Sequence, residues 1–187
     1  MTNKVSVLGI GMLIVGAFIV LPYPYFSMTS LVFYLLLYIP YLLFTLYLDM
    51  TGKVRDKKLK GYAGYFCLLL FAISFAAPAL KQFHDSLFLQ VFMVIIFVVI
   101  HIVVLKNSRF FYGIVLPEGS KSKKYSFIYW GVFIAIIVVG GGHYTAPRYF
   151  SLAYGQEAAY TFYSFLFLLI SYLLAIFSAS LTYKFRR

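Results

Sequence analysis

Long apolar runs dominate this chain of 187 residues. Six of them are candidates for helices that cross a membrane, at residues 5–24, 30–48, 62–80, 87–105, 126–142 and 159–183. A helix crosses the roughly 30 Å hydrocarbon core of a bilayer with about 20 mainly apolar residues. The runs are longer than most strands and lack the polar alternation of a membrane β-barrel. We therefore predict an all-α integral membrane protein, with residues 1–187 forming a single six-transmembrane-helix bundle.

The composition excludes several classes of protein. Hydrophobic residues make up 63% of the chain, charged residues 11%, and the mean hydropathy is +0.91. A soluble domain has about 45–50% apolar and about 25% charged residues. A soluble enzyme, a secreted disulfide scaffold and a disordered tail are therefore excluded, and the single cysteine, Cys67, cannot form an internal disulfide.

The positions of the basic residues orient the bundle. They concentrate in the N-terminal tail (Lys4), after the second run (Lys53, Arg55, Lys57, Lys58, Lys60), after the fourth (Lys106, Arg109, Lys121, Lys123, Lys124) and in the C-terminal tail (Lys184, Arg186, Arg187). The other connections contain only Lys81 and Arg148. By the positive-inside rule, both termini and the two basic loops are cytoplasmic, which places the protein in the plasma or inner membrane. The first run carries only Lys4 before it and no small-residue cleavage site after it, so we expect an uncleaved helix.

The net charge of +11 does not indicate a nucleic-acid partner. The basic residues flank the spans, where an anionic leaflet attracts each of them by about 1 kcal/mol. Neither basic loop has a recognition-helix pattern or an aromatic RNA-binding motif. The expected partners are the lipid bilayer and either another membrane protein or further copies of this chain.

Small residues at helical spacing predict where the helices pack. In the last span, Ser164, Ser171, Ala175 and Ser178 share one stripe with Thr161 and Thr182. In the third span, Ala72 and Ala76 lie on one face, and Ala63, Cys67 and Ser74 lie on another. Small residues allow close helix approach in lipid, so we interpret both sets as packing seams and place the third span in the middle of the bundle. A solute-lining stripe is the alternative for the last span.

A tyrosine stripe runs along the second span and consists of Tyr34, Tyr38, Tyr41 and Thr45. Phenol groups deep in a membrane need hydrogen-bond partners. We expect bonds to neighbouring helices, with the hydroxyl stripe of the last span as one source of partners. Contact with a ligand is the alternative.

The predicted span interiors contain no Asp, Glu, Lys or Arg, which argues against a proton pump, an ion-coupled exchanger and a voltage sensor. His101 lies near the predicted cytoplasmic boundary and is expected to be neutral and hydrogen-bonded. Asp49 is expected at the same interface, close to Lys53.

The predicted outer surface carries the candidate binding residues. A glycine run at 140–142 leads to His143, Arg148 and Tyr149. With Tyr34, these residues would line a small-solute pocket near the outer ends of spans two, five and six. The competing interpretation is an aromatic belt at the membrane interface. His84, Asp85, His143 and Glu157 lie on the same side, but their spacing matches no zinc pattern, so neither a metal nor another cofactor is expected.

No nucleophile elbow, metal-binding helix or pair of intramembrane aspartates indicates a catalytic role. The leading hypothesis is a noncatalytic protein that acts by association, as an immunity-type protein or an accessory subunit of a secretion or transport assembly. The alternative is a small-solute binding or transport subunit, and a membrane enzyme ranks third. The length and six spans are similar to those of the small substrate-binding membrane subunits of vitamin importers, although no residue matches a family motif.

Overall fold

The computed structural model of the chain describes residues 5–20, 26–116, 123–141 and 151–186. The main elements are the helices α1 (Val5–Val20), α2 (Met28–Met50), α3 (Lys57–Gln82), α4 (Leu87–Lys106), α5 (Ser108–Val115), α6 (Lys123–Gly141) and α7 (Gln156–Arg186). A 3₁₀ turn, Lys53–Arg55, joins α2 to α3. These ranges contain no strand, so the prediction of an all-helical protein is confirmed.

Within the described ranges, four helices are long and apolar enough to cross a membrane: α2, α3, α4 and α7. The first predicted span corresponds to α1, an apolar helix of 16 residues, and the predicted residues 21–24 lie outside the described ranges. The fifth corresponds to α6, which has 19 residues. The described part of the chain therefore contains four clear membrane-spanning candidates and a helix at each of the two remaining predicted positions.

Several helices extend beyond the apolar runs because polar residues cap them. The Ser27 hydroxyl accepts the Ser30 N–H before α2, at 3.4 Å. The Asp56 carboxylate accepts the Lys58 N–H before α3, at 2.8 Å. Each cap satisfies a backbone N–H that has no partner within the helix. The apolar runs therefore mark the part of each helix suited to hydrocarbon rather than the whole helix.

Helices α3 and α7 form an antiparallel central pair with the most extensive helix interface in the bundle. At one end Gly61 lies directly against the Phe185 ring. At the other end the Gln82 side-chain amide donates to the Thr161 hydroxyl at 3.2 Å. The pair is therefore in register over almost the whole length of α3.

The small residues predicted to pack helices lie in or beside this interface. Ser164, Ser171, Ala175, Ser178 and Ala72 are fully buried. Ala72 and Ala175 share one core cluster, and Ala76 is partly buried against another that contains Ala79 and Leu168. The opposite face of α3 packs on α1 and α2, so the prediction that the third span is central is confirmed.

The remaining helices pack on α7. Helix α4 buries only Met93 and Val104 among its side chains. The short helix α5 also lies against α7, where Tyr112 contacts Tyr183 with ring centroids 5.5 Å apart. The indole N–H of Trp130 on α6 donates to the Val115 carbonyl at 2.9 Å. Helix α5 is thus anchored to both α6 and α7.

Asp49 joins the end of α2 to the start of α1. Its carboxylate accepts the backbone N–H groups of Val5 at 3.1 Å and Ser6 at 2.8 Å. Within the described part of α1, which begins at Val5, these donors have no carbonyl partner, so Asp49 acts as a cap from a distant part of the sequence. All described lysine and arginine residues except Lys81 lie toward this end of the bundle.

Candidate ligand-binding cavity

A cavity of about 380 Å³ lies between the first half of α2, the end of α3 and the start of α4. The residues around its end nearest the helix termini are polar: Ser27, Thr29, Ser30, Lys81, His84 and Gln90. The walls farther in are mainly apolar: Phe33, Leu37, Ile73, Ala77 and Leu80. Pockets for small molecules have volumes of about 300–1,000 Å³, with apolar walls and a few polar groups. This cavity has the size and composition of such a pocket.

The inner end of the cavity is closed by a hydrogen bond between Tyr38 and Ser74, whose hydroxyl oxygens are 3.0 Å apart. The Ser74 hydroxyl donates to the Leu70 carbonyl at 2.9 Å, so Tyr38 is the donor to Ser74. Between Ser27 and Tyr38, helix α2 advances by about 16 Å. The cavity is therefore elongated along the helix axes, with a polar group at each end.

Helix α1 packs against the tyrosine stripe at Gly16. A Cβ atom at this position would lie 2.7 Å from the Tyr34 hydroxyl, 3.0 Å from the Tyr38 hydroxyl and 3.2 Å from the Ser74 hydroxyl. The Tyr34 and Tyr38 ring centroids are 4.3 Å apart. The lack of a side chain at Gly16 is what allows these three hydroxyl groups to meet under α1.

The tyrosine stripe is buried, as expected for phenols that join helices. Its partners differ from those predicted. Tyr38 bonds Ser74, and Tyr41 donates to the Ala63 carbonyl at 3.2 Å, so both bonds go to α3. The last span, considered as one source of partners for the stripe, supplies neither of these two bonds. The reason is that α3 lies between α2 and α7.

Lys81 provides the cation of the cavity. It is 7% exposed, whereas every other described lysine is exposed. The Lys81 carbonyl lies 3.1 Å from Nδ1 of His84, whose Nε2 lies 3.1 Å from an Asp85 carboxylate oxygen. The Gln90 amide donates to the Leu80 carbonyl at 2.9 Å and so ties α4 to the end of α3. Backbone and side-chain contacts therefore hold the polar end of the cavity in place.

The arrangement suits an amphipathic molecule. Within the described ranges, no group of three or more His, Cys, Asp and Glu side chains is placed to hold a metal. The apolar walls would cover a hydrocarbon portion, at about 25 cal/mol per Å² buried. A lysine ammonium in a partly dehydrated position attracts an anion more strongly than one in water. An acidic headgroup would therefore lie at the Lys81 end.

Tyr34 is one of the four predicted binding residues, and it lines this cavity. His143, Arg148 and Tyr149 lie outside the described residues, so their role stays a prediction. The prediction placed a pocket beside spans two, five and six, whereas this cavity lies beside α2, α3 and α4. The sequence analysis did not single out Lys81 as a residue of this cavity, although its isolation at the end of an otherwise uncharged span was a usable signal.

His101 lies away from the cavity and joins α4 to α3. Its Nε2 is 2.7 Å from the Tyr65 hydroxyl, and its ring stacks on Phe97. Its Nδ1 is buried and has no hydrogen-bond partner within the described part of the chain. The Tyr65 bond agrees with the expected hydrogen-bonded role of this histidine.

Comparisons of the chain with protein-family models, with curated proteins and with solved structures found no match. The geometry and charge of the cavity are therefore the basis for a functional proposal.

Proposed function

We propose that this chain is a noncatalytic membrane protein that binds a small amphipathic ligand with an anionic headgroup in the cavity between α2, α3 and α4. The observation that carries the proposal is the buried Lys81 at the polar end of a largely apolar cavity. The ligand's hydrocarbon portion would lie along Phe33 and Leu37. Its headgroup would contact Lys81 and the hydroxyl of Ser30.

We also propose that α1 and α6 complete a six-span bundle whose termini are both cytoplasmic. The distribution of charge supports this orientation, since Lys81 is the exception to the concentration of described basic residues at the opposite end. In the plasma or inner membrane, the cavity would then open at the outer side. The chain would act as a binding or transport subunit for a ligand that arrives from outside the cell or from the outer leaflet.

Association with a partner, as an immunity-type protein or an accessory subunit, is compatible with this proposal but has less support. Helices α4 and α6 expose apolar residues such as Val98, Ile102, Phe127 and Val138. Lipid would cover these surfaces as well as a partner protein would. The cavity is the more specific feature, so ligand binding takes precedence.

The test uses the full-length protein in a neutral detergent and three probes with the same alkyl chain: laurate, dodecylamine and dodecanol. A ligand that binds the folded state raises the unfolding temperature by mass action, and at 100 times its Kd it stabilises the protein by about 2.7 kcal/mol. We expect laurate to produce a saturable rise and dodecylamine to produce none. Equal stabilisation by all three probes would contradict the proposal.

Two variants connect binding to the cavity. Lys81→Gln should remove the preference for laurate over dodecanol, and Ala77→Phe should fill the cavity and abolish binding of both. The matched controls are Lys106→Gln, which removes an exposed charge at the opposite end, and Val99→Phe, which adds a ring on the exposed face of α4. Identical laurate binding by the Lys81 and Lys106 variants would refute the assigned headgroup contact.

A further inference from the structure

A second cavity, of about 470 Å³, lies at the opposite end of the bundle between the start of α3 and the end of α7. The residues that line it are four lysines, one glycine and one aromatic residue: Lys57, Lys58, Lys60, Lys184, Gly61 and Phe185. No acidic residue is among the described residues that line this cavity. Four cations from two helices therefore surround one concave site.

Close helix packing gathers these lysines. A Cβ atom at Gly61 would lie 2.6 Å from Cγ of Phe185, so only glycine lets the ring rest against α3. Phe185 also contacts Tyr62, with ring centroids 5.0 Å apart. This contact brings Lys184, near the end of α7, beside the lysines at the start of α3.

The stability of the fold does not account for this concentration of charge. The N-terminal end of α3, where the helix dipole disfavours cations, carries Lys57, Lys58 and Lys60, and its first turn contains no acidic residue. The nearby Asp56 carboxylate caps the helix through the N–H groups of Lys58 and Leu59. An anion held among the four ammonium groups would relieve their mutual repulsion.

We propose that this four-lysine pocket binds the phosphate of an anionic phospholipid. Ammonium groups donate charge-assisted hydrogen bonds to phosphate oxygens, and basic pockets between membrane helices bind acidic lipid headgroups. The Phe185 ring gives the pocket an apolar surface at the end of a candidate membrane-spanning helix. The first carbons of an acyl chain would contact this ring. The site shares no residue with the α2–α3–α4 cavity and does not depend on the function proposed for it.

The experiment compares three additions to the full-length protein in neutral detergent: phosphatidylglycerol, phosphatidylcholine with the same acyl chains, and inorganic phosphate. Native mass spectrometry counts the retained lipids, and thermal unfolding measures stabilisation. We expect saturable retention of one phosphatidylglycerol with a rise in unfolding temperature, and neither effect from phosphatidylcholine. Equal stabilisation by inorganic phosphate would identify a free-phosphate site and overturn the lipid assignment.

Two triple variants with the same change in net charge locate the binding: K58Q/K60Q/K184Q in the pocket and K106Q/K123Q/K124Q outside it. Each lysine near an acidic headgroup is worth about a factor of five in affinity, so the pocket variant should bind phosphatidylglycerol about a hundredfold more weakly. The control variant should retain the bound lipid. Equal losses in the two variants would mean diffuse surface attraction and would refute a site. If the pocket triple variant does not fold, Lys184→Gln alone should weaken binding about fivefold, and unchanged binding would refute the proposal.

Discussion

Replacing Gly16 with alanine tests the close contact between α1 and the tyrosine stripe of α2. The new Cβ atom would lie 2.7 Å from the Tyr34 hydroxyl, closer than a carbon and an oxygen can approach without strain. The hydroxyl cannot move away easily, because the Tyr34 and Tyr38 side chains are 3% and 1% exposed and their rings pack together. Either α1 or the pair of rings must shift.

The loss of stability in Gly16→Ala is best compared with that of Gly11→Ala, a control in the same helix. A Cβ atom at Gly11 would have no neighbour within 4 Å, so Gly11→Ala gains the same helix propensity without the clash. Overpacking costs about 1–3 kcal/mol. Disturbing the Tyr38–Ser74 hydrogen bond adds about 0.6 kcal/mol, the average for such bonds in a membrane. Gly16→Ala should therefore be less stable than Gly11→Ala by about 2–4 kcal/mol.

The assay is reversible unfolding in mixed micelles, followed by circular dichroism as a denaturing detergent is added. Adding Tyr34→Phe to the Gly16→Ala variant removes the nearest contact and should restore part of the loss, with a coupling free energy of at least 0.5 kcal/mol, as is typical of residues in contact. Equal stability of the two alanine variants would refute the packing of α1 against the stripe. A double variant with no recovery would show that the Tyr34 hydroxyl is not the obstacle.

Three further changes test other contacts by the same unfolding assay. Gly61→Ala should cost about 1–3 kcal/mol because its Cβ would overlap the Phe185 ring, whereas Gly64→Ala, which has open space, should cost nothing; equal effects would contradict the contact. Asp49→Ala should cost about 1–2 kcal/mol and increase amide hydrogen exchange in the first turn of α1, because two N–H groups lose their acceptor; unchanged exchange would show that the cap has no role. Tyr65→Phe should cost about 1 kcal/mol because it removes the bonded hydroxyl from Nε2 of the α4 histidine; an unchanged stability would mean that another group replaces it.

The helical class of this protein could be predicted from the sequence because runs of about 20 apolar residues have few other solutions in a membrane. The central position of α3 could also be predicted, since Ala72 and Cys67 lie on different faces of one helix and both faces carry small residues. These inferences depend only on the residues of single helices. The spacing of small and apolar residues along a helix can be read directly from the amino-acid sequence.

Contacts between helices were harder to predict. The tyrosine stripe showed that Tyr38 needs a partner, but not whether that partner lies on α3 or α7. The cavity is a gap between three helices, and no local pattern encodes a gap. Lys81 was visible as an isolated cation, yet its burial depends on how α2 and α4 pack beside α3. Asp49 and the start of α1 are separated by more than 40 residues, so their bond could not be inferred from spacing.

The bond between Asp49 and α1 has a consequence for how the chain assembles during synthesis. The N–H groups of Val5 and Ser6 leave the ribosome long before Asp49 does, so the carboxylate that accepts them is absent until α2 has been made. The Asp49 cap of α1 becomes available only when α2 has been made and lies antiparallel to α1. We therefore expect α1 to gain stability once α2 has been made, and a ribosome-bound chain truncated before Asp49 should hold α1 less firmly than one truncated after it.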